Sequence, residues 1–406
     1  MNVACRPREQ RTKVDQQRAP KRHKRVIVPS NSDEPAACRQ LSAAVRGRDP
    51  VRGGPPGTRL HGPRPRRRGN RTRRGPAPRS CRRALPRRSG AGGQPLERLS
   101  IPIPLFAPAA LHRITRELVR WADAVHVHGL LYPNTALAVS LAARAGVPVV
   151  VTEHVGLVAT GGRLLDAAQA TAFRWATRRA GRRATAFAVL NERVAGEIGA
   201  VIGGARPVVR IDNGVDTARF RPGDRAAARD RHGFTRPTVL FVGRLARKKG
   251  LDLLLAAASR SDRFDVVVCG KDTERLRDLP PTVRVLGKLD QDALADLYRA
   301  ADLLVMPSYG EGFPLVVQEA MASGLPVVAC AGAVPETGPH AAVVRLADRD
   351  PDALVKAVHA VLDEGDAGRE RVGAEAREVA VAHYDWSVAV DRYLALLNPS
   401  PAEVLS

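Results

Sequence analysis

Several common signatures are missing from this 406-residue chain. It has five cysteines, no C-x-x-C pair and no even cysteine spacing. That excludes a disulfide framework, a cysteine-based zinc site and an oxidising compartment. Cys5, Cys38 and Cys81 lie in a basic stretch, while Cys269 and Cys330 end apolar runs, where a cysteine is a small apolar filler. No apolar run reaches the roughly 18 residues that span a bilayer, and no signal peptide precedes the folded part, so a cytoplasmic protein is expected. The glycines match neither G-x-G-x-x-G nor a P-loop. Metal ligands are also sparse. His126 and His128 alternate on one expected strand, but without a third ligand they read as core or loop supports. Asp348-Arg-Asp350 has the D-x-D form of a metal motif, yet it precedes Pro351 and a helix and reads better as a cap.

Positive charge is abundant and unevenly placed. The chain holds 65 Lys and Arg against 41 Asp and Glu, a net +24. Residues 1–100 carry 27 basic and 6 acidic side chains, a net +21; the other 306 residues are close to balance at +3. The first quarter is rich in Arg, Pro and Gly, has no apolar period of 2 or 3.6, and offers almost nothing to bury. Only Arg25-Val-Ile-Val-Pro29 reads as a strand. Three readings compete here: a basic tail for nucleic acid or membrane, a native disordered extension, or a segment read out of frame from GC-rich coding DNA. In the last two, part of the first domain is lacking.

Two segments carry chemistry. Ser308 to Ala329 reads as loop, helix and buried strand, with Gly310 and Gly312 flanking Glu311. Pro314 fits the first helical position, and Gly324 stops the helix before Leu325–Ala329. The free amides of that helix start, with its dipole, make an anion site around Leu315 and Val316. Glu319 follows roughly 8 Å further along, at about 1.5 Å per residue. Carboxylate, anion seat and second carboxylate follow the order of sugar, pyrophosphate and ribose in a nucleotide sugar. The same pair also fits a glycosidase, or a surface helix with two solvated glutamates. Upstream, Val239 to Ala258 reads as strand, basic loop and helix, with Gly243 and Arg244 at the strand end and Lys249-Gly250 before the helix. Arg244 offers a planar fork and Lys249 a point charge, two ways to grip phosphate oxygens; a solvated basic loop is the plain alternative.

Together these segments resemble the family 4 glycosyltransferases. The resemblance rests on Asn213-Gly-Val-Asp216-Thr-Ala-Arg-Phe220, Gly243-Arg-Leu with Lys249-Gly250, Val285-Leu-Gly287, and Ala301-Asp-Leu-Leu-Val-Met-Pro-Ser308 leading into Glu311 and Glu319. Upstream, Val125-His-Val-His-Gly129 and Val147-Pro-Val-Val-Val-Thr-Glu-His154 look like the end of that family's first domain. It implies the GT-B architecture, an α/β fold of two facing Rossmann-like domains with parallel sheets. It also implies retaining transfer from a nucleotide-diphosphate sugar to a hydroxyl acceptor without cofactor or metal. By the same resemblance, Glu311 contacts the donor sugar and His154 faces the reaction centre. Arg244 and Lys249 hold the diphosphate, and Glu319 binds the ribose. Gly243, Gly312, Phe313, Pro314, Leu315 and Val316 complete the donor-binding set. Nucleotide base, sugar and acceptor stay open. Two other functions stay open beside it: a nucleotide-sugar binder inactive through its N-terminus, and a polyanion or nucleic-acid binder acting through the basic tail.

The expected layout is a basic segment over 1–100, the rest of the first domain over 101–213, a nucleotide-sugar domain over 214–370, and a final helical part over 371–406 crossing back. Strands are expected at Ala124–His128, Val147–Thr152, Thr185–Leu190 and Val208–Ile211, and the last helix, Arg371–Leu397, bends near Tyr384-Asp385. Arg163 to Arg183 mixes Leu164, Leu165, Phe173 and Trp175 with six arginines. It reads as a helix packed on its own sheet with a solvated basic face, or as an amphipathic helix for peripheral contact with anionic membrane.

Overall fold

The computed structural model describes residues 26–27, 109–157, 162–244, 246–271, 276, 278–310 and 312–397, without the side chains of 26, 27 and 109–114. The expectations for residues 1–100, apart from Val26-Ile27, and for Glu311 lie outside the described residues.

The first half runs β1 (Val26–Ile27), α1 (Ala109–Trp121), β2 (Ala124–His128), α2 (Pro133–Arg144), β3 (Val149–Glu153), α3 (Arg163–Gly181), β4 (Ala186–Val189), α4 (Glu192–Ile202) and β5 (Val208–Arg210). Its five strands are parallel, in the order β1-β2-β3-β4-β5. The second half runs α5 (Arg225–His232), β6 (Thr238–Val242), α6 (Leu251–Ala258), β7 (Asp265–Cys269), β8 (Val283–Gly287), α7 (Gln291–Ala300), β9 (Leu303–Met306), α8 (Leu315–Ala322), β10 (Val327–Cys330), β11 (Val344–Ala347) and α9 (Pro351–Leu362). Its six parallel strands have the order β11-β10-β9-β6-β7-β8. Two helices follow, α10 (Gly365–Tyr384) and α11 (Trp386–Leu397).

These strands form because their sequences suit burial on both faces. TVLFV, LLVM and VVAC are β-branched or apolar throughout, and every residue is buried. Alternation then divides them between two layers. Leu240, Val242, Leu304 and Met306 join one core, and Val239, Phe241, Leu303 and Val305 join the other. In the first sheet, Val125, Val151 and Phe187 face α2 and α3, while Ala124, Val150 and Ala188 face α11 through Val390, Tyr393 and Leu397. The last described helix therefore covers the first sheet.

The helix break also falls where expected. Asp385 is extended (ψ 145°), and Tyr384 O accepts from Val215 N at 2.7 Å, while Trp386 N donates to Val215 O at 3.1 Å. The preceding helix starts earlier than the sequence indicates, at Gly365 rather than Arg371. Its Gly- and Asp-rich opening is held by tertiary contact: Arg369 donates to Leu362 O at 3.1 Å and pairs with the buried Asp302 at 3.4 Å. Asp350 caps α9 by accepting from the amides of Asp352 and Ala353, both at 3.0 Å. Cys269 and Cys330 are buried at strand ends, as apolar fillers.

Candidate active site

Chain order reverses in the second sheet between β6 and β9, which lie side by side. In such sheets the loops leaving the two strands part to opposite faces and open a crevice at their C-terminal ends. Both motif segments leave from these two ends. After β6 come Gly243, Arg244 and a 3-10 turn over Arg247–Lys249. After β9 come Pro307 to Pro314 and then α8. Tyr309 N donates to Lys248 O at 2.7 Å and joins the two loops. Gly250, at φ 68°, lets them meet, because a Cβ there would lie 2.1 Å from Pro307 O. Arg349 fixes the second loop from beneath. Its guanidinium donates to the carbonyls of Pro307, Ser308 and Ala331, each at 2.7 Å, and lies 3.9 Å over the Tyr309 ring. Arg244 is exposed and Lys249 half-buried.

At α8 the structure corrects one expectation. Pro314 is the cap residue, extended at ψ 135°, and the helix begins at Leu315. The Pro314 carbonyl accepts from Val317 and Gln318, which leaves the amides of Leu315 and Val316 without an intrahelical acceptor. The Phe313 ring points inward, not to the cleft. It is buried against His340 and Tyr384. Any donor contact at 313 therefore falls to its backbone.

Glu319, on the fifth residue of α8, accepts from the Tyr298 hydroxyl at 3.0 Å. Burial pushes its carboxyl up from the ordinary 4.5 to about 7, partly offset by that hydrogen bond. A carboxyl raised in the folded state stabilises the fold at low pH, and that contribution is lost as pH rises from about 4.5 to about 7. The size is on the order of 3 kcal/mol. Glu319→Gln is expected to flatten this loss, so denaturation curves of parent and variant converge at pH 5 and separate by pH 8, the variant being the more stable. Parallel curves would show that Glu319 is ionised throughout.

The first sheet contributes histidines from adjacent strand ends. Parallel pairing sets His128 beside Thr152, and His154 follows one residue after β3. His128 Nδ1 lies 2.8 Å from His154 Nε2, and His126 Nε2 lies 2.7 Å from the Thr152 hydroxyl. Burial holds all three rings below the usual histidine range, so they are neutral. Glu153 knits the same loops, accepting from Leu130 N at 2.8 Å and from the amides of Val155 and Gly156 at 3.2 Å. The two sheets' loops face each other: a Cβ on Gly312 would meet Asn191 Nδ2 at 3.6 Å and Leu190 O at 4.0 Å.

Gly243, Arg244 and Lys249 thus follow β6, while Gly312 and the start of α8 follow β9, at the adjoining strand ends of the switch point, with Glu319 four residues along that helix. Sequence reasoning did not single out Asn191, His340, Tyr298 or Arg349. Asn191 had a legible signal, since it caps α4 by accepting from Val194 N at 3.0 Å just past a strand end. The other three have no local signature. Among the described residues no helix is long and apolar enough to cross a membrane. In α3, Phe173 packs inward, while Leu164 is 88% and Trp175 62% exposed.

Comparison with known proteins agrees with this fold. The family description "Glycosyltransferase Family 4" matches residues 25–219, and "Glycosyl transferases group 1" matches residues 236–364. The D-inositol 3-phosphate glycosyltransferase of Acidothermus cellulolyticus is 30% identical over 351 residues, 76% of this chain and 75% of that protein. The one from Geodermatophilus obscurus is 38% identical over 224 residues, 49% of each chain. The chain thus spans about half the length of several curated relatives it matches. Among solved structures, Anabaena Alr3699/HepE in complex with UDP-glucose has the same fold at TM-score 0.57 and 20% identity, over 75% of this chain and 88% of that one. With both halves matched and the GT-B sheets in place, the chain belongs to the family 4 glycosyltransferases.

Proposed function

We propose that this protein transfers a sugar from a nucleotide-diphosphate sugar to a hydroxyl acceptor, with retention at the anomeric carbon and without a metal. The observation that carries this reading is the pairing at the β6/β9 switch point of a basic loop with the open amides of α8. Arg244, Lys249, Leu315 N and Val316 N would then surround the diphosphate and stabilise the charge it gains as the sugar departs. That site supplies cations and dipoles from the protein itself. Retention needs no enzyme nucleophile if the leaving phosphate oxygen assists attack on the face it vacates. His154 has its Nε2 engaged by His128, so Nδ1 is its remaining polar atom for the sugar. Glu311 would contact the donor sugar. The ribose hydroxyls would donate to Glu319, so nucleotide affinity rises with pH through about 7, and Glu319→Gln removes the trend.

HepE is described in complex with UDP-glucose, and the curated relatives as acting on D-inositol 3-phosphate. UDP-sugars and that acceptor are therefore the first to try. The test is the shift in melting temperature with UDP-, GDP- and ADP-sugars, followed by turnover. Ligand at 100 times its dissociation constant adds about 2.7 kcal/mol to the folded state. A shift with one nucleotide class, lost in Glu319→Ala, supports the reading; a cooperative transition that none of them moves overturns it.

A second reading is donor binding without transfer: residues 1–100 are rich in Arg, Pro and Gly and offer only Arg25-Val-Ile-Val-Pro29 as strand-like sequence where a first domain needs strand and helix. A nucleotide-dependent shift with no turnover would select it. The donor is a cytoplasmic metabolite, so we place the protein there. The outward Leu164 and Trp175 beside the α3 arginines favour peripheral contact with anionic lipid.

A further inference from the structure

The loop assigned to the donor and the point where the chain crosses between domains are joined by one aromatic cluster. Phe313 stacks on His340, ring centroids 4.3 Å apart at 24°, and lies 4.7 Å from the Tyr384 ring. Tyr384 is the last residue of α10, next to the break at Asp385, and its carbonyl holds Val215. The Thr217 hydroxyl donates to the Asp385 carboxylate on the same crossing. His340 is wholly buried and bonds on both sides. Its Nε2 is 2.8 Å from Pro335 O and its Nδ1 3.0 Å from the Tyr384 hydroxyl. A carbonyl only accepts, so Nε2 carries a proton. Burial disfavours the charged ring, so Nδ1 accepts from Tyr384. Ring plane and tautomer are both fixed. Arg210 and Asp212, from the end of β5, act electrostatically on His340 and Tyr384, so the first domain borders the cluster too.

We propose that His340 is a positioning residue that couples the donor loop to the interdomain crossing, through its stack on Phe313 and its hydrogen bond to Tyr384. A close-packed ring cluster does not deform continuously, so a shift of residues 312–314 is passed to 384–386 as a change of arrangement. The ligand at the loop is the nucleotide of the proposed function, and this inference rests on that reading. In it, filling the donor site and closing the two domains become one equilibrium.

The test uses the full chain, and its first readout needs no nucleotide. Backbone hydrogen exchange is compared in the parent, Tyr384→Phe, His340→Ala and His340→Gln. Tyr384→Phe removes one hydroxyl and keeps the ring, so the fold is retained. Exchange is expected to rise about tenfold in residues 312–318 and in 215–217 together, within the usual size of coupling between sites. His340→Gln, whose amide can donate to Pro335 and accept from Tyr384, should restore most of the protection. The second readout is small-angle scattering of the parent with UDP, GDP and ADP. The parent should compact with the nucleotide it binds, and Tyr384→Phe should bind it without compacting. Faster exchange confined to 335–343, or a Tyr384→Phe protein that compacts like the parent, overturns the coupling. If the parent binds none of the three nucleotides the donor reading fails, and the exchange data alone decide whether loop and crossing move together.

Discussion

Replacing Arg244 and Lys249 together by alanine is expected to lower nucleoside-diphosphate affinity by about 10²–10⁴-fold, since a hydrogen bond to a charged group is worth about 1.5–3 kcal/mol and each 1.4 kcal/mol is a factor of ten. The pair stands at the end of β6, held by Lys249 N to Ala246 O at 2.8 Å and by Tyr309 N to Lys248 O at 2.7 Å. The loop is thus shaped before any phosphate arrives, and its arginine is exposed. Truncating the exposed Arg244 alone should leave stability within about 0.5 kcal/mol, as for other surface changes. Salt gives a second check, because exposed charges are screened over about 8 Å at physiological ionic strength. Calorimetric titration at 0.05 and 0.5 M salt should show a parent weakened by salt and a double variant almost indifferent to it. Equal affinity of the two proteins would place the phosphates elsewhere.

Gly250→Ala carries the next largest effect, about 3 kcal/mol of stability with loss of nucleotide binding. The new Cβ meets Pro307 O at 2.1 Å and Pro307 C at 2.8 Å, and φ is 68°. The left-handed backbone alone costs about 1 kcal/mol without glycine, and forced overpacking adds about 1–3. Relief requires the loop after β9 to move off the basic loop, which breaks the Tyr309–Lys248 hydrogen bond and widens the crevice. Gly287→Ala is the control: φ is 69° there, but nothing lies within 4 Å. It should cost about 1 kcal/mol and leave binding intact. Denaturant unfolding with nucleotide titration checks both, and equal behaviour of the two variants would remove the close approach from the account.

The centre of the second sheet was legible because β6, β9 and β10 are unbroken β-branched or apolar runs, and the loops after β6 and β9 carry glycine and charge at fixed offsets. Local chemistry dictates such features. Pro314 shows the limit of that reading: proline suits both the cap and the first helical residue, and the extended ψ that decides between them is set by the loop before it. Phe313 shows another. In sequence it belongs to the donor motif, but its ring is claimed by His340 and Tyr384, residues 27 and 71 positions later. The histidine pair is a third case. His128 and His154 are each visible, yet their contact depends on the register of β2 against β3. Helix α10 starts early because Arg369 finds Asp302, across a distance no periodicity reports.

The crossing helix has a consequence for how the chain is made. One face of the first sheet is covered by Val390, Tyr393 and Leu397, while its last strand ends at Arg210. At about 5–20 residues per second, synthesis leaves that face waiting for roughly ten to forty seconds. The second domain, whose sheet layers close on their own helices, is complete before the first. A chain whose first-made sheet is finished last depends on whatever shields nascent apolar surface on the ribosome, and a messenger slowed between these segments would lengthen that exposure.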